Sequence, residues 1–257
     1  MACGPQNLAN SPLRNVTVVI KTILRPEAVR AVVGSFSRVL GNAVPIIVVD
    51  DSPEPDAEGF PPQVKVIPMP FDSGLSAGRN RGVEAVQTSK IFLADDDCLL
   101  ESGLEEIFRC LELLDQGWDL IGSGAHDCQT RNGVLHVSEQ VITGEVRECS
   151  FTKNFFVAKT ELLRLVPWDE RMKTRPEHAD HFLRLVESGA KIGGTGLLRF
   201  CNLGGGNVEY RNLRSRNFMD IFREKWALSD VVWHSSGSTQ PPDRPRWFAR
   251  GEARGLH

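Results

Sequence analysis

Several common landmarks are missing from this 257-residue chain, and each absence removes a class of function. No stretch approaches the roughly 20 consecutive apolar residues of a membrane-spanning helix, and the first 15 residues lack the apolar core of a secretion signal, so the chain reads as soluble. There is no basic excess. Lys and Arg number 30 against 33 Asp and Glu, for a formal net charge of -3, and nucleic acid is a poor match as partner. The six cysteines (Cys3, Cys98, Cys110, Cys128, Cys149 and Cys201) include no CxxC or other close pair, which argues against a zinc site. Cys98 and Cys110 read as buried free thiols, while Cys128 and Cys149 could pair only in an oxidising compartment. No glycine-rich loop bearing Lys and Arg follows the first apolar run, which argues against a nucleotidyltransferase that holds a nucleoside triphosphate. Internal repeats are also missing. Asn15-Val16-Thr17 is a glycosylation sequon that matters only if the chain is secreted.

What remains is a chain that is 41% hydrophobic, enough for one substantial core. Strand and helix signals alternate through its first half. "VTVVI" and "VPIIVVD" are β-branched runs suited to a sheet covered on both faces, and between them Pro26 opens a helix whose apolar residues recur at helical spacing up to Gly41. A third strand is expected over 64–69, a helix over 74–88 and a fourth strand over 90–94. Ser102 with Glu105 forms a capping box for a further helix, and "WDLIGSG" reads as another strand. This is an α/β pattern with a mostly parallel sheet. Beyond 120 the alternation weakens to a hairpin region over 124–150, a strand over 154–159, a helix in "PEHADHFLRLVESG", a strand in "KIGGTGLLRF" and a last helix over 215–230. The expected organisation is an extension over 1–14, one domain over 15–234 divided near 123, and a mobile tail over 235–257 rich in Ser, Pro, Gly and Arg.

Sheets of this kind bind ligands beyond the carboxyl ends of their strands, where the polar motifs fall: Thr22 after the first strand, Asp50 and Asp51 after the second, and Asp95, Asp96 and Asp97 after the fourth. In an extended segment Asp95 and Asp97 project to one side and Asp96 to the other. Two convergent carboxylates need a cation or a shared proton, and Mn2+ or Mg2+ accepts carboxylate and phosphate ligands together.

The ordered series "VTVVIKTILR", "IIVVDDS", "MPFDSGLSAGRNRGV", "FLADDDC", "KNFFVAK" and "WDERMKTRPEHADHFLRL" resembles a GT-A glycosyltransferase of the family 2 type, most closely the β-1,4-N-acetylgalactosaminyltransferases, over residues 16–205. The resemblance implies a GT-A fold, a UDP-sugar donor, a glycan or glycolipid acceptor and a divalent ion. By the same resemblance, Thr22 with Asp50 or Asp51 meets uracil and ribose, Gly78, Arg79 and Asn80 approach the nucleotide with the guanidinium near the diphosphate, Asp95 lies near ribose and metal, Asp96 borders the nucleotide, and Asp97 ligates the ion. An inverting transferase also needs a base on the acceptor side; Asp180 takes that place in "PEHADHFL", with Glu177 as competitor and His178 and His181 as supporting residues. Asn154 is placed near a sugar hydroxyl, and Phe155 and Phe156 read as core. Where the family usually supplies a metal-binding histidine this chain reads "LLRFCNLGGGN", so Asn202 becomes the candidate ligand and Cys201 a softer one. That departure gives weight to a catalytically inactive relative of the same shape that binds a nucleotide or a glycan. The resembled enzymes are anchored in the Golgi, which places this chain in the Golgi lumen if an anchor precedes it and in the cytoplasm otherwise.

Overall fold

Seven consecutive buried residues make up the first strand, β1 (Val16–Thr22), and a strand buried throughout must lie inside a sheet with cover on both faces. The computed structural model, which describes residues 11–55 and 58–234, has that arrangement. After β1 the chain forms α1 (Pro26–Leu40), β2 (Ile46–Asp50), β3 (Val64–Pro68), α2 (Leu75–Ala85), β4 (Lys90–Asp95), β5 (Cys98–Leu100) and α3 (Leu104–Asp115). It continues through β6 (Leu120–Ser123), β7 (His126–Arg131), β8 (Val134–Glu139), β9 (Arg147–Glu148), β10 (Phe155–Lys159), α4 (Thr160–Leu165) and α5 (Glu177–Glu187). The last elements are β11 (Ile192–Thr195), β12 (Phe200–Asn202), α6 (Val208–Ser215), α7 (Met219–Trp226) and β13 (Asp230–His234).

The main sheet runs β3-β2-β1-β4-β10-β6-β11-β9, parallel from β3 to β4, with β10 antiparallel to both its neighbours. Side chains alternate across it. Val18 and Ile20 pack with Val29, Val32 and Phe36 of α1 and Ile107 and Leu111 of α3, while Val19, Ile47 and Val49 join Val83 of α2, Leu163 of α4 and Phe182 of α5 on the other face. Phe155 and Phe156 are fully buried in these two cores, as expected. α2 lies unusually close to β1 because its glycines face the sheet: a Cβ at Gly82 would stand 2.5 Å from Val19 Cγ1, and one at Gly78 2.5 Å from Lys21 Cγ.

Several expectations shift. Helix α3 begins one residue late: the Gly103 N–H, not Ser102, pairs with Glu106, and the Ser102 hydroxyl donates to Leu197 O (2.8 Å) and accepts from Arg199 N (2.7 Å). The single helix expected over 215–230 is shorter: α7 alone lies within it, α6 ends where it was expected to start, and β13 begins at its end. Asn217 Oδ1 caps Met219 N at 3.0 Å, the left-handed Ala227 (φ 51°) ends α7, and β13 then pairs in parallel with β8. The "KIGGTGLLRF" stretch also divides, its end pairing with β5 as β12. Cys128 and Cys149 are free thiols. Among the described residues no helix is long and apolar enough to cross a membrane. The expected tail over 235–257 lies outside the described residues, as does most of the 1–14 extension.

Candidate functional site

The carboxyl ends of β1, β2 and β4 open into one crevice whose wall includes Lys21, Asp51, Asp95, Asp96 and Asp97. Asp72, Lys173, Arg214 and Arg216 face them from the α2 approach, the α5 approach and α6. Strand β4 ends at Asp95 and the chain turns at once, so all three aspartates border the crevice instead of alternating across it.

Each aspartate meets a guanidinium, Asp95 that of Arg79 and Asp96 and Asp97 the shared one of Arg25. Asp95 Oδ1 accepts from Arg79 Nη2 at 2.7 Å; Asp96 accepts from Arg25 Nη1 at 3.0 Å and from the Thr22 hydroxyl at 2.8 Å; Asp97 Oδ2 accepts from Arg25 at 3.1 Å, with the Cys98 thiol 3.6 Å from Oδ1. Guanidinium groups therefore make the acidic run tolerable in this fold. Burial, together with Asp97 and Asp95, pushes the Asp96 carboxyl up to about 6 against the pull of Arg25 and Thr22. Burial also acts upward on Asp95 and is the largest single influence, but the charge and hydrogen bond of Arg79, with the Arg214 charge, together outweigh it and hold that carboxyl below its ordinary range. Arg25 is 4% exposed, packs 4.8 Å from the Tyr210 ring centre and donates to the Tyr210 hydroxyl at 3.0 Å.

The other residues expected at the nucleotide divide. Thr22 is buried outside the crevice lining and spends its hydroxyl on Asp96. Asp50 caps its own turn, Oδ1 accepting from the Ser52 N–H at 2.8 Å and hydroxyl at 2.5 Å. Asp51 is fully buried, ion-paired with Lys21 and accepting from Gly74 N at 2.9 Å; burial lowers the Lys21 ammonium against the opposing pull of Asp51. Gly78, Arg79 and Asn80 stay out of the crevice lining, because α2 turns them into the protein. Gly78 makes room for the Lys21 stem, and Asn80 clamps the backbone of Trp168, donating to its carbonyl at 2.9 Å and accepting from its N–H at 2.8 Å. Arg79, 1% exposed, spans Asp95 and Glu177 (3.1 Å) and lies 5.8 Å from the Trp168 ring, so a diphosphate would have to displace a buried carboxylate to reach it.

The acceptor-side expectation changes most. The Asp180 side chain is fully buried and held by Arg184 Nε at 3.0 Å, Lys225 Nζ at 2.8 Å and the Trp226 indole N–H at 2.9 Å, so its lone pairs are committed away from the crevice. His178 instead lines a second recess with Asp95, Asn154, Phe200, Asn202 and Trp233. Its Nε2–H donates to Thr152 O at 2.8 Å, which leaves Nδ1 as the lone-pair nitrogen, buried and without a protein partner among the described residues. Burial, reinforced by the Arg79 charge, lowers this imidazole to about 3. Glu177 is taken by Arg79, and His181 stacks on Trp168 with ring centres 3.7 Å apart.

For a divalent ion the fit is partial. Asp95 and Asp97 both border the crevice, each with one oxygen on a guanidinium, and two carboxylates plus donor phosphates are a common Mg2+ or Mn2+ donor set. Asn202 does not join them, because it lines the second recess and its Oδ1 accepts from Gly204 N at 2.7 Å; Cys201 is exposed. Among the described residues, no group of three or more His, Cys, Asp or Glu side chains is arranged to hold an ion. Arg25, Lys173, Arg214 and Arg216 belong to the site although no motif in the sequence marks them; the "RNLRSR" run over 211–216 is the one local cationic signal.

A sequence profile described as glycosyl transferase family 2 matches residues 17–168. The chain is 33% identical over 190 residues to beta-1,4 N-acetylgalactosaminyltransferase 2 of Mus musculus, an alignment covering 66% of this chain and 36% of that protein. It is 30% identical over 195 residues to beta-1,4 N-acetylgalactosaminyltransferase 1 of Rattus norvegicus, covering 65% and 35%. The chain thus spans about a third of the length of these curated relatives. Among solved structures, S. aureus TarS residues 1–349 in complex with UDP-GlcNAc superposes with a TM-score of 0.58 at 14% identity, covering 75% of this chain and 60% of that one, a likeness of fold. With more than half its length matched by the profile, and with the aspartate-bearing strand ends inside the match, the chain belongs to glycosyl transferase family 2.

Proposed function

We propose that this chain transfers a hexose, GalNAc or a related sugar, from a UDP-sugar to a hydroxyl of a glycan or glycolipid with inversion at the anomeric carbon. One observation carries the reading: the crevice at the carboxyl ends of β1, β2 and β4, where Asp95 and Asp97, inside the family-matched region, face Lys21 from the same region and Lys173, Arg214 and Arg216 from the segments that follow it. The names of the relatives and the UDP-GlcNAc complex of the structural neighbour support the donor class. Asp51, fixed by Lys21 and Gly74, walls the nucleoside end, with Thr22 and Asp96 behind it. Asp95 and Asp97 would hold Mn2+ or Mg2+, which when bound supplies positive charge to the departing diphosphate. The acceptor hydroxyl occupies the second recess beside His178 and Asn154. As its oxygen bonds to C1, the bond from C1 to the diphosphate oxygen breaks, the electron pair leaves with UDP, and the hydroxyl proton passes to His178 Nδ1. Glu177 and Asp180 hold α5 in place and take no proton.

A second reading, nucleotide binding without turnover, draws support from Asn202, the candidate third metal ligand, whose oxygen is spent on its own loop. A panel of UDP-sugars incubated with the protein and Mn2+ separates the two. Release of UDP from one donor, abolished in Asp97→Ala, supports the transferase. UDP binding without hydrolysis or transfer to any arrayed glycan favours the second reading, and the absence of UDP binding sinks both.

A further inference from the structure

Of the cations lining the crevice, three already have carboxylate partners: Lys21 has Asp51, and Lys173 and Arg216 share Asp72, Arg216 as a two-pronged pair. Arg214 differs. Among the described residues no carboxylate lies within ion-pair distance of it, and its one hydrogen bond is a long one, 3.3 Å from Nη1 to the Thr174 hydroxyl. A guanidinium carries five N–H donors, and one that lines a half-enclosed crevice with a single donor used is an acceptor-poor cation. It suits a ligand that brings a planar pair of anionic oxygens, as phosphate does.

The seat of Arg214 is built from both sides of the crevice. Its helix, α6, is capped at the start by Asn207, which accepts from Tyr210 N at 2.7 Å, and is fastened at its end by Arg216 on Asp72. In the middle the Tyr210 hydroxyl accepts from Arg25, the same guanidinium that forks to Asp96 and Asp97. The aspartates and Arg214 are thus held in one frame, with Arg25 neutralising the acids from behind and Arg214 facing the opening between them. From this geometry we propose that Arg214 binds the diphosphate of the donor, with Arg25 and Tyr210 as its positioning residues, so that donor recognition has a component that needs no metal ion. The proposal rests on the UDP-sugar reading given above and adds the residue that receives the phosphates.

Calorimetric titration of the full chain with UDP and with uridine, in excess EDTA and then in Mn2+, tests it. In EDTA, UDP is expected to bind more tightly than uridine. Arg214→Ala should weaken UDP by about 10- to 100-fold, the loss of hydrogen bonds to a charged group, and leave uridine unchanged. Arg214→Lys should recover part of the loss. Melting temperatures of these variants and of Arg214→Gln, expected within a few degrees of wild type, separate lost contact from lost fold. Unchanged UDP affinity in a folded Arg214→Ala overturns the proposal. So does UDP that outbinds uridine only when Mn2+ is present, because the ion alone then carries the diphosphate, although the donor reading stands. If wild type binds neither UDP nor uridine under either condition, the donor reading itself falls.

Discussion

The indole N–H of Trp226 donates to the carboxylate of Asp180 at 2.9 Å, joining α7 to α5 at a buried point that lines neither the crevice nor the recess. His178 and Asp180 are two residues apart on a helix, about 200° around its axis, so they face different neighbourhoods. One faces the recess and the other anchors the C-terminal helices.

Asp180→Asn should therefore act on stability. Breaking a buried ionic cluster by changing one partner typically costs about 3–5 kcal/mol, and here it leaves Arg184 and Lys225 short of an acceptor. Urea unfolding should show the loss, with UDP affinity of the folded protein unchanged. An unaltered midpoint with lost turnover would return the base role to Asp180.

His178→Ala should do the converse. Removing a general base lowers turnover by roughly 10²- to 10⁴-fold, whereas UDP affinity should stay within about twofold because His178 lines the second recess and not the crevice that takes the diphosphate. Parallel kinetics and calorimetry read both quantities. Normal turnover would clear His178 of the chemistry.

Arg79→Met should destabilise more than a surface arginine would, because it strands the buried Glu177 and the partly exposed Asp95 without their shared cation. Adding Glu177→Gln to that variant should recover part of the loss. A double-mutant cycle by chemical denaturation measures the coupling, and strict additivity would show that the two residues do not share an interaction.

Acid should weaken the fold through buried neutral histidines. Burial holds His178 and His181 below the ordinary histidine range, so on acidification below about 6.5 the unfolded chain takes up protons that the folded chain refuses. Stability is then steady above that pH and falls below it. His181 has no partner for either ring nitrogen among the described residues, and His181→Phe keeps its stack on Trp168 while removing its proton uptake. The melting temperature of the variant should fall less between pH 7 and 5 than that of wild type; equal slopes would place the acid sensitivity elsewhere.

The alternating strands and helices up to residue 123 were readable because each carries its own period and its own stop: Pro26 and Gly41 bound α1, and the β-branched runs of β1 and β2 are too apolar to lie anywhere but inside a sheet. The aspartates at the end of β4 were readable for the same reason, since a strand end is a local property. After residue 200 the segments are short and half-exposed, and local signals could not say that the basic run over 208–216 would fold back across the aspartates or that 230–234 would pair with β8.

By itself the sequence determined the parallel α/β half, the position of the acidic run at a strand end and, through the ordered motifs, the family. Which cation faces which acid was decided by tertiary structure alone. Arg25 meets Asp96 from 71 residues away, Arg79 meets Glu177 from 98, and Tyr210 meets Arg25 from 185. Charges act through space and are strengthened by burial, so pairs of this kind depend on how helices and strands pack and leave no periodicity along the chain.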